Sequence, residues 1–438
     1  MATSPARRRR SCKKTETTIT EIPDHLLAEI FLRLPAEEDL ARASAACVTF
    51  RRLATDGSFL PCFRRRFRHL QSPPLLGFLD YRGFHHAVPP HPSAPAARAL
   101  ALAADFSFSF LPSHCPWIVE DVRDGRVLLG RDPGEEDRPP VTRELVVCDP
   151  LHRRYVLLPS VPEALASSVE LDDPLLPRPW CERFLVPPAG EEPAAEGAAF
   201  SVICVVHCQI RLVVFVFVFS SSTGQWRAAA SKCIGDLYHA SGKLIEKSTL
   251  NPTFVRRHYA YGCFYWESTM FMRKEVLVLD TQTMVFSLAD LPSQGWGTQG
   301  IAIVEAGGGR IGMFSIHAGI SGVRFLCYTV MHNQGEWQMV RMFSLGSGNA
   351  QSIKAATERH LLLECPQPPC LEGSSFRLRG VKYISMDVKT LQLGRVCVKP
   401  HSSGDKTRIY SSFPPSFLSS PTVQWSCNQI NILDSKGL

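Results

Sequence analysis

Residues 275–289 read EVLVLDTQTMVFSLA. An apolar run from Val276 to Leu279 meets Asp280, Thr281 and Thr283, and a second run opens at Met284, Val285 and Phe286. β-Branched and aromatic residues at this density favour pleated backbone. A short acceptor such as Asp280 can take backbone N–H groups a few residues ahead, which is what a tight turn requires. The stretch is therefore a strand, a turn and a second strand. The same plan recurs in ELVVCDPLHRRYVLLP (144–159), VFVFSSSTGQWRAAA (216–230), RFLCYTVMHNQGEWQMV (324–340) and KYISMDVKTLQLGRV (382–396), with Asp149, Ser221, Thr329 and Asp387 at the expected turns.

From Ser221 through Asp280 and Thr329 to Asp387 the units are ~50–60 residues apart, a spacing typical of propeller blades. Each hairpin exposes bare edges and one apolar face, and radial stacking into a β-propeller is the economical closure. Five blades are marked by these copies, and residues 73–130 are the expected source of a sixth. Asp124-Gly125 between two apolar runs is a hairpin turn. Phe106, Phe108 and Phe110 alternate as if on one face of a strand. Segments 85–98, 132–142 and 160–198, rich in Pro, Ala and acids, read as surface insertions.

The chain before residue 71 has a different period. Ile22, Leu26, Leu27, Ile30, Phe31 and Leu34 make one apolar helical stripe. Pro23 suits the first helical position, Thr20 a cap, and Pro35 ends the helix. A second helix opens on Glu37, Glu38 and Asp39 and carries Leu40, Ala43, Cys47 and Phe50 on one face. A third amphipathic piece follows with Phe59, Phe63, Phe67 and Leu70. Helices this short bury little by themselves, so an apolar stripe of this length needs cover, and its periodicity suits a partner's surface and the chain's own β domain equally.

The order of those residues resembles the F-box motif, over residues 19–63. The matching positions are Ile22-Pro23, Leu26-Leu27-x-Glu29-Ile30-Phe31-x-Arg33-Leu34-Pro35, Leu40-x-Arg42, Cys47 and Phe50-Arg51. Ile22 replaces the usual Leu, and Phe50 the more usual Trp. The resemblance implies binding to the Skp-type adaptor of SCF cullin–RING ubiquitin ligases through Ile22, Pro23, Leu26, Leu27, Ile30, Leu34, Pro35, Leu40, Cys47 and Phe50. The later portion resembles the kelch-like or F-box-associated β domains of plant F-box families, without the double glycine of a kelch repeat. The expected organisation is a basic tail (1–18), a helical F-box domain of three short helices (19–70) and a large all-β domain (71–432).

Charge and composition narrow the alternatives. The formal charge of +7 is concentrated at the start: residues 1–70 hold 14 Lys and Arg against 8 Asp and Glu, and the remainder 34 against 33. A near-neutral body argues against nucleic-acid binding. Residues 1–14 lack the apolar core of an export signal; Arg7–Arg10 with Lys13 and Lys14 read first as a disordered solvated tail, with a nuclear-import tag as the alternative. Reduced thiols are expected for the 15 cysteines, in nucleus or cytoplasm. Cys204-x-x-His207-Cys208 has no second ligand pair for a metal and reads as buried strand. Residues 201–222 approach the length of a membrane span, but His207, Gln209 and Arg211 interrupt them.

Enzymatic signatures are weak. Gly307–Gly312, GGGRIG, fits a dinucleotide fingerprint in letters, but no helical pattern follows, so a glycine turn is favoured. His85-His86 sit in GFHHAVPPHPSAP, a proline-rich stretch that itself holds no carboxylate. No catalytic residue and no cofactor is expected. The expected function is substrate recognition within an SCF-type ligase: adaptor through the helices, cullin and RING subunits through the adaptor, and a target protein on the β domain. A non-degradative scaffold using the same adaptor contact is the alternative. Trp180, Arg183, Tyr259 and Trp296 are candidate target contacts.

Overall fold

In the computed structural model the chain divides into two units, residues 1–72 and 73–438. The structure describes residues 22–34, most of 39–54, residue 59, and residues 74–411 apart from 113–115, 133–139, 170–178, 187–198, 209–211, 243–253, 269–274, 293–299, 320–321, 333–334, 348–350, 368–369, 373–374, 378–379 and 405. Trp296, Pro35, Thr20 and the basic run Arg7–Arg10 lie outside these residues.

The larger unit is a six-bladed β-propeller. Blade 1 begins with β1 (Leu75–Asp80) and β2 (Gly83–His86). Blade 2 is the meander β3 (Trp117–Arg123), β4 (Arg126–Arg131), β5 (Leu145–Asp149) and β6 (Arg154–Leu158). Blade 3 is β7 (Trp180–Val186), β8 (Ser201–Cys208), β9 (Val213–Ser220) and β10 (Gln225–Cys233). Blade 4 is β11 (Phe254–Ala260), β12 (Cys263–Ser268), β13 (Glu275–Asp280) and β14 (Val285–Asp290). Blade 5 is β15 (Ile301–Glu305), β16 (Ile311–Ala318), β17 (Val323–Met331) and β18 (Trp337–Ser347). Blade 6 holds β19 (Ser352–Ala356) and β20 (His360–Pro366), then a small separate hairpin of β21 (Cys370–Glu372) and β22 (Ser375–Arg377), and closes with β23 (Val381–Asp387) and β24 (Leu393–Lys399). The last described strand, β25 (Arg408–Ser411), returns to pair with β1, so blade 1 is built from both ends of the unit.

The hairpins legible in the sequence are the outer two strands of blades 2 to 6. Asp149 Oδ1 accepts the N–H groups of Leu151 and His152 at 2.9 and 3.1 Å, and Asp280 Oδ1 those of Gln282 and Thr283 at 2.8 and 3.3 Å. Asp387 does the same for Lys389 and Thr390. Thr329 departs from the expectation. It lies inside β17, where its hydroxyl donates to Met313 O, because that strand runs on to Met331 before turning. The membrane-length run resolves into β8 and β9, paired antiparallel. Among the described residues no helix is long and apolar enough to cross a membrane.

Other expectations are corrected. Residues 117–131 supply the inner half of blade 2, not a sixth blade, and the blade that does complete the ring borrows β25. Segment 85–98 is no simple insertion: His85 and His86 end β2, and a helix at Ala94–Ala103 buries Ala94, Ala97 and Leu100. Within 160–198 lies β7, an inner strand. Phe106, Phe108 and Phe110 are in turns, held by Asp105, which accepts from the Ser107 N–H and from the Ser107 and Ser109 hydroxyls. Their rings still pack inward, and Phe106 stacks on Phe84 with centroids 4.0 Å apart.

Apolar residues collect between neighbouring blades. One cluster joins blades 6, 1 and 2 through Phe78, Val146, Tyr383 and Tyr410, and another joins blades 3 and 4 through Phe184, Val216, Phe264 and Leu279. Blades 2 and 3, 4 and 5, and 5 and 6 are sealed likewise. Strand faces in a closed propeller are covered on both sides, which is why the strands read as continuous apolar runs.

The small unit has its own core. A helix at Asp24–Leu32 starts from Pro23, whose carbonyl accepts the N–H groups of Leu26 and Leu27. Pro23 is thus the residue before the helix, not its first. A second bounded helix, Val48–Ala54, begins where Cys47 Sγ accepts the Phe50 N–H at 3.4 Å. Leu27, Phe31, Leu40, Phe50 and Phe59 are buried together, and the Phe31 ring meets Phe50 edge-on at 5.1 Å.

Candidate functional site

Two places in the molecule carry chemistry that packing alone does not account for. The first is the helical unit. Adjacent helical residues point about 100° apart, so the Leu26-Leu27 and Ile30-Phe31 pairs are divided between two faces. Leu27 and Phe31 enter the core, whereas Leu26 and Ile30 are 44% and 46% exposed. The single open stripe expected from the sequence is therefore split. Leu27, Leu40 and Phe50 are buried; Ile22, Leu34 and Cys47 are half-buried against the core; Pro23 is exposed, as is Val48. Arg52 braces the arrangement from outside with a 2.7 Å bond to Asp24.

The second is the propeller axis. The inner strands are β3, β7, β11, β15, β19 and β25, and β25 packs beside both β19 and β3 to close the ring. Three of them, in alternate blades, carry a β-bulge at a charged residue: Glu120 in β3, Arg256 in β11 and Lys354 in β19. A bulge re-aims side chains relative to the sheet. Arg257 of blade 4 donates to Asp121 of blade 2 at 2.8 Å and lies 3.5 Å from Glu182 of blade 3. Arg408 of blade 1 approaches the same two carboxylates at 3.7 and 3.8 Å. Blades 1 and 4 face each other across a six-membered ring, so groups that both of them reach must lie on the axis.

The carboxylates are held on their other sides. Asp121 accepts the Leu185 N–H at 2.9 Å, Glu182 accepts the Trp266 indole N–H at 2.8 Å, and Arg257 lies over the Phe184 ring. Glu120 faces Arg183 at 3.7 Å and Lys406 at 3.6 Å. A second layer crosses the axis where the inner strands end. There Arg123 of blade 2 donates to Glu358 beyond β19 at 3.0 Å and covers the Tyr259 ring of blade 4. Burial works against the Arg123 charge, but Glu358, Asp121 and Asp124 outweigh it and the guanidinium is held above its ordinary range.

Of the candidate contacts, Arg183 is buried beside Glu120 and two thiols, Tyr259 is half-buried under Arg123, and Trp180 is half-buried at the start of β7. Cys181 and Cys204 bring their sulfurs to 3.3 Å on neighbouring strands. The contact with Cys204, with help from Arg183, lowers the Cys181 thiol pKa, and the Cys204 thiol is raised. No group of three metal-ligating side chains occurs among the described residues. Gly307, Gly308 and Gly309 form the β15–β16 turn, all with positive φ.

Two polar clusters invisible in the sequence lie at the blade 6–blade 1 seam. His85 Nε2 is 2.9 Å from Asp80 Oδ1 and 2.8 Å from Lys399 Nζ, and Lys399 also bonds Asp80. The carboxylate is only five residues upstream, across the β1–β2 turn, whereas Lys399 is brought from blade 6. Elsewhere His91 Nε2 meets Ser385 Oγ at 3.0 Å, the distance of a nucleophile and its base. Yet His91 Nδ1 accepts the Ser93 N–H, which puts the ring proton on Nε2, and Ser385 Oγ donates to Gly394 O. A histidine that already donates to a serine cannot take its proton. This pair is a buried structural link.

A short helical unit with its own core, followed by a six-bladed propeller whose axis is crossed by ion pairs, defines the class: a two-part chain with a β-propeller as its larger piece. Residues 19–60 match the family model described as F-box-like, so the smaller piece is an F-box-like domain. No curated protein matches the sequence. Among solved structures, the propeller domain of the Trilobed protease from Pyrococcus furiosus aligns at 8% identity and TM-score 0.32, over 65% of this chain and 72% of that one. TolB from Acinetobacter baumannii aligns at 15% identity and TM-score 0.31, over 70% and 57%. A post-proline cleaving enzyme from Rickettsia typhi aligns at 8% identity and TM-score 0.29; the match covers 66% of this chain and 37% of that one.

Proposed function

We propose that the chain is the substrate-recognition subunit of an SCF-type cullin–RING ubiquitin ligase. The F-box-like domain would bind a Skp-type adaptor, and through it cullin and RING subunits, while the propeller holds a target protein. The chemistry then needs no catalytic residue here. Tethering raises the target's effective concentration beside the ubiquitin-charged enzyme, and geometry does the rest.

The observation that carries this reading is the division of the helical face. Pro23, Leu26, Ile30 and Val48 present apolar surface outward from a unit whose core is already filled by Leu27, Phe31, Leu40, Phe50 and Phe59. In this reading Leu26 and Ile30 make the adaptor contact directly, Ile22, Leu34 and Cys47 border it, and Leu27, Leu40 and Phe50 hold its shape. Pro35 belongs to the same contact by its place in the motif. The basic run before the domain would direct the protein to the nucleus, with the cytoplasm as its other compartment.

Co-purification with a Skp-type adaptor tests the proposal. Leu26→Asp/Ile30→Asp should fold as the wild type does, because both side chains are half exposed. Loss of two central apolar contacts at ~2 kcal/mol or more each would weaken adaptor binding by at least about a hundredfold. Equal recovery of adaptor with both proteins would refute the reading.

A further inference from the structure

Blade 3 turns two thiols toward each other. Cys181 of β7 stands opposite Val206 of β8, and Cys204, two residues before Val206, shares that face of the sheet. The two sulfurs lie 3.3 Å apart. Directly opposite Cys204 in the register is Arg183, almost wholly buried. Its Nη1 lies 3.7 Å from Glu120, but Nε and Nη2 find no hydrogen-bond partner among the described residues. A buried guanidinium so thinly paired favours an anion forming beside it, and a thiol next to such a cation ionises more readily. Arg143, just before β5, adds a second positive charge at Cys181. Ordinary packing has the opposite effect on a sulfur. Burial pushes the Cys365 and Cys397 thiols up to about 11, whereas the contact with Cys204 and the Arg183 charge bring Cys181 down. Cys181 is half-buried and Cys204 is closed off from solvent, so a small oxidant meets Cys181 first.

We infer that Cys181 and Cys204 are a peroxide-sensitive thiol pair, with Cys181 the attacking sulfur and Cys204 the resolving one. The Cys181 thiolate attacks one oxygen of hydrogen peroxide and the O–O bond breaks. The departing hydroxide takes up the thiol's proton as water, and Cys181 becomes a sulfenic acid. The Cys204 sulfur then attacks the Cys181 sulfur, the S–O bond breaks, and the hydroxyl leaves as water with the Cys204 proton. Two thiols are oxidised to one disulfide, and one peroxide is reduced to two waters. Diagonal positions on a sheet are set wider than direct partners, so the bond draws β7 and β8 together and is readily reduced again by a dithiol. Its formation also takes the thiolate from beside Arg183, which is left to Glu120, itself shared with Lys406. The oxidation state of blade 3 thereby reaches the charges at its seam with blade 2. The pair needs neither adaptor nor target to react.

The test is mass spectrometry on the reduced full chain after brief exposure to hydrogen peroxide, quenched with N-ethylmaleimide and digested without reductant. A linked pair of peptides carrying Cys181 and Cys204, two hydrogens lighter than the free peptides together and separated by dithiothreitol, is expected to accumulate. With dimedone present, Cys204→Ser should stop at a Cys181 sulfenic acid adduct, and Cys181→Ser should leave Cys204 reduced. Cys365 is half-buried like Cys181 but has a raised pKa, and it should oxidise at least about tenfold more slowly in the same sample. Arg183→Gln should slow Cys181 oxidation about tenfold, the change in thiolate fraction that one pKa unit makes. Thermal unfolding of each variant separates lost reactivity from lost fold. The absence of a linked pair in the wild type, a Cys181 that oxidises no faster than Cys365, or an unchanged rate in folded Arg183→Gln overturns the assignment.

Discussion

Asp121 accepts the Leu185 N–H and the Arg257 guanidinium and lies near Arg408, so one carboxylate ties blade 2 to blades 3, 4 and 1. Removing one member of such a buried set strands the others. Asp121→Ala should therefore cost ~3–5 kcal/mol in chemical denaturation. Asp387→Ala, at a surface turn with the same residue type, should cost only ~1 kcal/mol. Similar costs for the two would show that the axial network is not a brace. His207 gives a different signature. Burial pushes its pKa down from 6.5 to about 4, so it stays neutral in the folded chain while the unfolded chain takes up a proton. The unfolded state binds more protons between those values, hence stability is present above about pH 6.5 and declines as pH falls toward 4. The slope is ~1.4 kcal/mol per unit at most. Denaturation midpoints at pH 7 and pH 5 should differ less in His207→Gln than in the wild type.

At the scale of elements, what the sequence reveals is the outer half of blades 2 to 6. Those hairpins combine apolar strands with Asp or Ser turns, and both signals are local. The inner strands are obscured by their own chemistry: WIVEDVR, WCERFLV and FVRRHYA place charge pairs in mid-strand, where polarity ordinarily argues against burial. Only the closed ring, which brings Arg257 to Asp121 across 136 residues, makes those charges compatible with the interior. β25 is hidden for a related reason. RIYS is too short to stand out, and its partner β1 lies at the opposite end of the unit. Closure through β25 also makes a prediction. Ile409→Ser/Tyr410→Ser removes two buried side chains, one donating to Gly125 O, and should cost about 5 kcal/mol or more. Calorimetry should also show the propeller of this variant unfolding over a broader range than the wild type, since blade 1 comes apart first.

For the whole molecule, the proposed adaptor surface was legible as a motif but not as a shape. Residue order marks Leu26, Leu27, Ile30 and Phe50 alike, whereas the fold spends Leu27 and Phe50 on its own core and leaves Leu26 and Ile30 outside. The ion pairs on the axis were not legible at all, because Asp121, Glu182, Arg257 and Arg408 lie in separate blades and carry no common motif. The division of labour between the two units is the central claim. Its most direct test is proximity labelling in cells with the wild-type chain and with Leu26→Asp/Ile30→Asp, scoring ubiquitin on the labelled proteins. Both should label the same partners of the propeller, and only the wild type should leave them ubiquitinated. Labelled partners carrying equal ubiquitin in both cases would contradict the account.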